Sequence, residues 1–367
     1  KFNNLIQKTI FKVKNKTNKN LKITNFSKYL ITFISLLFLY VFYLLIPTLY
    51  DKTWVQNNIE NKLLKEFKIN FSISSDISYR ILPKPHFLIK NSKIIKEDEG
   101  NNTVLSNIKN LKIFISKKKL FNKEQITLKY IIIDNANFLL TGNDLRLLKS
   151  DSTKKFSNKK IEINKSNIFI KNNSDETIVI IKISKAFLFL DNKDLFNLFK
   201  LKGEVFNVPF SLDYKKEFGL LKNEIVSIIA KSLKLNILST HDNKKNNLSS
   251  GSNTISFLKS KFNTDYTIED GIITFKSSNP KIVKNKVNYN GEILINPFTV
   301  DLKVDLGKIK MSKMLDLSPV LLELIKSRLL FNENITVNTE IMMDSSTNRE
   351  IFQSARVNLN FVNGSIN

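Results

Sequence analysis

An uncharged run of 22 residues constrains the fold of this chain more than any other feature. Residues 29–50 contain no Asp, Glu, Lys or Arg, and a helix of about 20 apolar residues spans the hydrocarbon layer of a bilayer. Tyr29 and Tyr50 flank the run, where interfacial aromatic residues are enriched. The sequence therefore predicts a transmembrane anchor whose apolar residues include Leu30, Ile34, Leu37, Phe38, Val41, Leu44 and Leu45.

A cleaved signal peptide is the alternative interpretation of this run. The apolar part of a signal peptide usually covers about 7–15 residues and ends at small residues. The run here is longer, and residues 29–60 contain neither Ala nor Gly. We therefore predict an anchor that remains attached to the protein.

The charges that flank the anchor predict its orientation. Residues 1–28 carry eight lysines and no acidic residue, and positive charge next to a span stays in the cytoplasm. We expect a single-pass protein of a bacterial inner membrane, with a cytoplasmic N-terminus and its bulk in the periplasm. Because the chain begins at Lys1 and stops in a strand-like segment, we expect it to be a piece of a longer protein.

The period of the apolar residues changes after Phe67. Val55, Ile59, Leu63 and Phe67 recur every four residues and predict an amphipathic helix over residues 53–67. Apolar and polar residues then alternate, which predicts strands with one apolar and one solvated face, paired mainly antiparallel. The alternating runs are residues 71–81, 87–89, 111–115, 126–132, 161–170, 178–190, 205–214, 265–275, 288–304 and 335–343. Two further helices are predicted over residues 191–200 and 318–331.

These patterns divide the chain into five regions. Residues 1–28 form a cytoplasmic basic tail and residues 29–50 form the anchor. A first β-rich region covers residues 51–238. Residues 239–253 are polar and nearly free of large apolar residues, so we predict a linker there. Residues 254–367 form a second β-rich region that continues the sheet.

Two segments 88 residues apart repeat one pattern. Residues 203–214 and 291–302 share Gly, Glu, Pro, Phe and Asp at corresponding positions. We predict one hairpin design used twice, with a break between strands at the proline, where the lost N–H is tolerated. The defining residues are Gly203, Pro209 and Phe210 in the first segment and Gly291, Pro297 and Phe298 in the second.

The composition limits the chemistry available to the chain. It has no cysteine and only two histidines, so disulfides, thiolate zinc sites and His-rich metal sites are excluded. No nucleophile elbow, phosphate-binding glycine loop or His-Glu-x-x-His pattern occurs, and we predict no catalytic residues, no cofactor and no metal. The net charge of +25 raises polyanion binding as a hypothesis, but lysines spread over solvated faces of a periplasmic protein need no nucleic acid.

The order of span, amphipathic helix, strand and an LP-x-P motif resembles the AsmA family of bacterial envelope proteins, which includes TamB-related members. Leu82, Pro83 and Pro85 supply the motif, followed by the strand at residues 108–115 and a basic turn and strand at residues 117–133. The resemblance is clearest over residues 28–140 and 200–214.

The resemblance implies a mainly β fold with minor α content: an anchoring helix followed by an elongated, curled, largely antiparallel sheet that forms an open apolar groove. It also implies phospholipid binding or transport, or support of outer-membrane assembly, without catalysis. Strand alternation then selects as groove residues Phe71, Ile73, Ile77, Tyr79, Ile81, Ile113, Ile115, Leu128 and Tyr130.

Three questions stay open at this point. The same apolar face is equally compatible with a closed core as with a groove. A scaffold that recruits envelope proteins by adding strands at its sheet edge is the alternative function. The lipid, the direction of transport and the oligomeric state are not indicated by any motif.

Overall fold

The structure, a computed structural model, describes the chain in separate stretches. These are residues 25–98, 101–141, 144, 155–172, 175–192, 195–218, 224–243, 249–257, 260–269, 272–278, 281–282, 285–295, 298–309, 326, 331–345 and 353–366. They belong to two units. The first contains Lys1–Tyr50 and Lys117–Ile126, and the second contains Asp51–Ser116 and Thr127–Asn367. Most of the predicted basic tail, residues 1–24, lies outside the described residues.

The first unit contains the predicted anchor. Helix α1 covers Asn25–Leu45, and a 3-10 turn over Ile46–Leu49 extends it. Together they form one helix that is long and apolar enough to cross a membrane. Most of its large side chains are exposed, with Phe38 62% and Leu37 52% exposed. Such a surface is unfavourable in water, which makes a lipid environment the natural one for α1.

The second unit begins with helix α2, Lys52–Phe67, and this confirms the predicted amphipathic helix. The Asp51 carboxylate accepts a hydrogen bond from the Trp54 N–H at 2.8 Å and caps the first turn. The helix ends where Lys68 adopts a left-handed conformation with φ of 57°. Its buried residues are Val55, Ile59 and Leu63, at the predicted four-residue spacing.

The described residues form 21 strands in one hydrogen-bonded sheet. The first eleven are β1 Asn70–Ser72, β2 Ile77–Arg80, β3 His86–Asp98, β4 Asn101–Ile115, β5 Leu128–Thr141, β6 Ile161–Lys171, β7 Thr177–Asp191, β8 Phe196–Val205, β9 Val208–Glu217, β10 Glu224–Ala230 and β11 Leu235–Asn243. The others are β12 Ser249–Phe257, β13 Ser260–Glu269, β14 Ile272–Ser277, β15 Lys281–Ile282, β16 Asn285–Lys286, β17 Asn288–Ile295, β18 Phe298–Ile309, β19 Ile335–Ser345, β20 Ser354–Val362 and β21 Ser365–Ile366.

Nearly every strand pairs with its neighbours in the chain. β1 and β2 both pair with β3, and each strand from β3 to β13 then pairs with the next. The sheet continues through β17, β18, β19, β20 and β21. All pairs are antiparallel except β5–β6 and β18–β19, whose partners are joined by longer connections, as parallel pairing requires. The predicted fold class, mainly β with a long and largely antiparallel sheet, is confirmed.

Helix α2 crosses the first strands of this sheet. Near its start, the Gln56 side chain donates to the Ile73 carbonyl at 2.7 Å, and Glu60 accepts from the Ile73 N–H at 2.6 Å. At its end, Glu66 accepts hydrogen bonds from Ser157 and Lys159, which precede β6. Because β3, β4 and β5 lie between these two attachments, α2 covers their apolar face.

The ion pair at the end of α2 makes stability depend on pH. Burial raises the pKa of Glu66, but the hydrogen bonds and charge of Lys159 and the Ser157 hydroxyl outweigh it, so the pKa lies below its ordinary value. A carboxylate of depressed pKa stabilises the fold above its unfolded pKa, and this contribution disappears as pH falls through the folded pKa.

Glu66→Gln is therefore expected to lower the free energy of unfolding by about 1 kcal/mol at pH 7. Urea unfolding at pH 7 and pH 3.5 should show a smaller difference at pH 3.5 than at pH 7. The exposed Glu269→Gln should show none, and an equal loss in both variants would contradict the assignment.

A line of irregular residues crosses the first strands. Asn91, Asn135 and Lys165 have φ of 52°, 55° and 48° in β3, β5 and β6. At each of them the alternation changes phase, so that in β5 the buried residues Ile133 and Ala136 are three apart. The sheet therefore keeps one apolar face on both sides of this line although the sequence alternation is interrupted.

Two predicted segments differ from the structure, and a third lies almost entirely outside the described residues. Residues 239–243 and 249–253 are not a linker, because they pair with each other in β11 and β12. Residues 196–200 are not helical, because β8 pairs with β7 and β9. The helix predicted over residues 318–331 lies outside the described residues except for the helical Lys326 and for Phe331. The runs 205–214, 265–275 and 288–304 each span two successive strands that pair with each other, namely β8 with β9, β13 with β14 and β17 with β18.

The repeated segments both form hairpins, but their turns differ. In the first, Phe206 and Asn207 make a two-residue turn with φ of 49° and 58°, and Gly203 pairs with Phe210. In the second, Gly291 pairs with Leu302 and the pairing continues to Ile295 and Phe298, so the first strand extends two residues further than in the first segment. The predicted break at the proline is wrong in the first segment, because Pro209 lies inside β9 opposite Glu204; Pro297 is not described.

Candidate functional site

One face of the sheet carries an apolar row across eleven consecutive strands, β3 to β13. Each member is directly paired with the next, and directly paired residues point to the same face of a sheet. We call this face the apolar face. The row consists of Ile89, Leu111, Ile133, Ile163, Ala186, Leu201, Leu212, Ile228, Ile237, Ile255 and Phe262.

Burial along this row is uneven. Ile89, Leu111 and Ile133, under α2, are 0%, 0% and 2% exposed. The members from β9 to β13 are only half-buried. The apolar face is therefore a closed core beneath α2, while among the described residues it is an accessible apolar surface from β9 onward.

A polar band runs beside the accessible part of the row, on the same face. It starts with Lys216 and Glu224, whose side chains are 2.9 Å apart and only 8% and 14% exposed. The remaining members, from β9 to β13, are Tyr214, Ser239, His241, Asn253, Thr264 and Tyr266. Five strands thus present an apolar strip and a polar strip side by side.

The polar band is internally hydrogen-bonded. The Tyr266 hydroxyl lies 3.1 Å from Ser239 Oγ and 3.2 Å from His241 Nδ1. Burial, together with the charge and hydrogen bond of Glu224, raises the pKa of Tyr214, which therefore stays protonated. Asn253 Oδ1 is buried without a hydrogen-bond partner among the described residues.

Two aromatic rings of the apolar face lie against glycines. Tyr266 is paired with Gly251, and Phe275 with Gly291. A Cβ at Gly291 would lie 2.6 Å from the Phe275 ring and 2.2 Å from the Asp301 carbonyl oxygen. Only glycine fits there, which gives the second repeat a physical reason for its first residue.

The opposite face is polar over most of the sheet. Glu162 lies 3.0 Å from Lys160 and 3.1 Å from Lys185. Burial raises the pKa of Glu162, but the hydrogen bonds and charges of the two lysines outweigh it and hold the pKa below its usual value. Across β12, β13 and β14 this face carries Ser252, Asp265 and Lys276 in direct register. The two faces of the sheet therefore differ in chemistry.

The predicted groove residues fall into three groups. The buried ones, beneath or beside α2, are Phe71, Ile73, Ile77, Ile113, Ile115 and Leu128, each at most 8% exposed. Tyr79 and Ile81 are half-buried at the end of the sheet, where the Tyr79 ring packs against Phe87.

Tyr130 does not share the face of Leu128, so the predicted phase is wrong at this residue. A register shift between β4 and β5 pairs Ile115 with Leu128 and Phe114 with Tyr130. Phe114 therefore stacks on Tyr130 on the other face, with ring centroids 4.3 Å apart.

The LP-x-P motif borders this second aromatic cluster. His86, which follows Pro85, stacks on Phe114 at 4.8 Å and is 3% exposed. Burial lowers the pKa of His86, and the Lys112 and Arg80 charges add to this effect against the hydrogen bond to the Lys84 carbonyl. His86 is thus a neutral packing residue. Within the motif, Leu82 is exposed, Pro85 is buried and the Leu82–Pro83 bond is cis.

No group of three or more His, Asp or Glu side chains that could hold a metal occurs among the described residues. No family model matches the chain, and no curated protein matches it. Two solved chains match. One is the crystal structure of the sex pheromone staph-cAM373 precursor, with 10% identity over 76% of this chain and 82% of that chain. Its TM-score of 0.15 is too low to carry an argument about fold or function.

Proposed function

We propose that this chain is a membrane-anchored, non-catalytic protein that binds phospholipid on the apolar face of its sheet. The observation that carries the proposal is the pairing of half-buried apolar residues with a polar band over β9 to β13. A phospholipid joins apolar acyl chains to a polar headgroup, so its two parts match the apolar row and the polar band.

The apolar row and the polar band contribute different interactions. Acyl chains that cover Leu212, Ile228 and Ile237 gain about 0.8 kcal/mol for each methylene that leaves water. The polar band offers the Lys216 ammonium group to a phosphate or ester oxygen, and the Asn253 carbonyl oxygen to a headgroup ammonium or hydroxyl group, which can donate a hydrogen bond. Burial of these groups strengthens such bonds because water competes less.

The proposed setting is the bacterial inner membrane, with α1 as the single span, the N-terminus in the cytoplasm and the sheet in the periplasm. The eight lysines of residues 1–28 support the orientation. The resemblance to the AsmA family through Leu82, Pro83 and Pro85 supports a role in carrying phospholipid or in outer-membrane assembly. We propose no cofactor and no nucleic-acid partner.

Site-specific photo-crosslinking tests this function in the full chain. A benzophenone amino acid at Ile237 or at Phe262 places the reactive group on the accessible apolar row. After irradiation of cells grown with radioactive phosphate, both positions are expected to yield protein carrying labelled phospholipid. Because the crosslink forms only at the labelled residue, an adduct at Ile237 or Phe262 reports lipid on the sheet and not lipid that surrounds α1.

Leu238 is the matched control, because it follows Ile237 in β11 but points to the opposite face and is 43% exposed. The same probe there should yield no labelled adduct. Equal labelling at Leu238, or no labelling at Ile237 and Phe262, would contradict the lipid-binding proposal.

A scaffold function is the second candidate, and the β20 edge favours it. Among the described residues, β20 pairs with β19 over most of its length, while β21 covers only Phe361 and Val362 on the other side. A further strand can pair along the rest of β20, and in the scaffold function another protein supplies that strand. A probe at the exposed Asn358 that captures protein, together with lipid-free Ile237 and Phe262, would support this function instead.

A further inference from the structure

The end of α1 is fastened to the connection between β4 and β5. We call residues 117–126 the exit loop. The Tyr43 hydroxyl donates to the Lys117 carbonyl at 2.7 Å and accepts from the Leu120 N–H at 3.3 Å. The Tyr50 hydroxyl donates to the Leu120 carbonyl, and Leu120 itself is fully buried. Two tyrosines of the anchor thus hold the backbone of the exit loop.

Side chains add to this attachment. The Lys117 ammonium donates to the Tyr40 hydroxyl at 3.1 Å and lies 5.8 Å from the centre of the Tyr40 ring. The Phe121 ring lies 5.2 Å from the Tyr43 ring, yet 78% of Phe121 is exposed. Leu49, at the end of the 3-10 turn, is 84% exposed. Two large apolar side chains of this unit therefore lack cover among the described residues.

The exit loop is strongly basic. It carries Lys117, Lys118, Lys119 and Lys123 against the single acid Glu124, a net charge of +3. Lys118, Lys119 and Lys123 are exposed. Exposed apolar side chains among lysines are typical of segments that lie in a membrane interface beside anionic headgroups.

The helix geometry sets the depth of the exit loop. Tyr43 precedes Tyr50 by seven residues, about 10 Å along a helix axis. The interfacial layer on each side of the hydrocarbon core is about 5–8 Å thick. A loop that is hydrogen-bonded to Tyr43 therefore reaches into the headgroup layer when α1 spans the bilayer. This depth rests on the membrane span of the proposed function.

We infer that the exit loop binds anionic phospholipid headgroups in the leaflet where α1 ends. Phe121 and Leu49 insert among the upper acyl chains, and the lysines contact the phosphates. The partner is the anionic lipid of the same membrane that α1 crosses. This site is separate from the apolar face, and it secures the anchor rather than carrying cargo.

Tryptophan fluorescence in nanodiscs tests the inference on the full chain. Trp54, the only tryptophan, is replaced by Phe, and Phe121→Trp then provides a single reporter in the exit loop. The nanodiscs contain phosphatidylcholine with an equal fraction of either brominated phosphatidylglycerol or brominated phosphatidylcholine. Brominated phosphatidylglycerol is expected to quench the reporter more strongly, and added salt should reduce the difference.

Charge removal provides the matched comparison. Lys118→Gln with Lys119→Asn removes two charges, and Asn tolerates the left-handed conformation of Lys119, whose φ is 60°. We expect the preference for phosphatidylglycerol to fall at least about fivefold, since each lysine near a membrane contributes roughly this factor. Lys231→Gln with Lys234→Asn removes equal charge from another turn with a left-handed lysine, φ 50°, and should leave the preference unchanged.

A second reporter separates the two possible failures. Phe38→Trp, also without Trp54, places the indole in the middle of α1. If it is not quenched, the span is wrong and the proposed function fails together with this inference. If it is quenched while the reporter at position 121 is unquenched or indifferent to phosphatidylglycerol, only the exit-loop site is overturned.

Discussion

Replacing Ile113 by Asp is expected to unfold the first strands of the sheet and to lower the free energy of unfolding by more than about 4 kcal/mol. Ile113 is fully buried between Phe87 and Ile131 on the face that α2 covers. Its direct neighbours Phe87 and Ile131 offer no cation to a carboxylate, so the charge would have to be buried unpaired or the packing opened. Urea unfolding in nanodiscs, followed by limited proteolysis, measures the loss.

Ile255→Asp is the matched control for this prediction. Ile255 lies on the same face in β12 but is only half-buried, so a carboxylate there keeps access to water. We expect a loss of about 1–2 kcal/mol. Equal losses in the two variants would show that α2 does not close the first part of the apolar face. Lost lipid in the Ile113 variant would report unfolding rather than a lipid contact.

Glu224→Gln is expected to cost about 3 kcal/mol or more, because it leaves the Lys216 charge buried without its partner. The two side chains are 2.9 Å apart and are almost entirely shielded from water. The pair lies in the polar band, two residues beyond Tyr214 along β9, and Glu224 also forms a hydrogen bond with the Tyr214 hydroxyl. Chemical unfolding of the full chain gives the magnitude.

The double variant Lys216→Met with Glu224→Leu tests the cause of that loss. Removing both charges replaces the pair by apolar groups of similar size, which is often neutral or stabilising. Recovery of stability in the double variant, together with loss in Glu224→Gln, is the expected pattern. A stable Glu224→Gln protein would mean that Lys216 is not buried with its charge. If lipid crosslinking at Ile237 falls in the stable double variant, the pair contributes to headgroup binding.

The two helices could be predicted because their signals are local. A helix presents neighbours three and four residues apart, so Val55, Ile59 and Leu63 mark α2 without knowledge of its partner. The uncharged run marks α1 in the same way. Residues 191–200 show the limit of such signals, because their apolar residues suited a short helix until pairing with β7 and β9 formed β8.

The phase of several strands could not be read from the sequence. Asn91 and Asn135 look like ordinary polar positions, yet their left-handed conformations shift the inward residues by one. The shift before Tyr130 acts in the same way and places its ring on the other face. The polar residues 239–253 concealed a strand pair, because its hydrogen bonds come from the backbone and require no apolar side chains.

The distinction between core and surface depends on long-range packing. Alternation identifies Ile113 and Ile237 as equally inward, and only the position of α2 separates a buried residue from an accessible one. For this reason the predicted groove residues cluster at the covered end of the sheet. The polar band also escaped prediction, since Lys216, Glu224 and His241 come from three strands and meet only through register.

Most strands of this sheet pair with their neighbours in the chain. The sheet therefore resembles a repeat protein, whose length can change by whole units. Strands lie about 4.8 Å apart, so the ten steps of the apolar row measure roughly 48 Å along the sheet. One leaflet of a bilayer is about 15 Å of hydrocarbon, and the row is therefore about three acyl lengths long. Adding or deleting a hairpin would change the length of the apolar row stepwise, while most of the remaining strands kept their own neighbours.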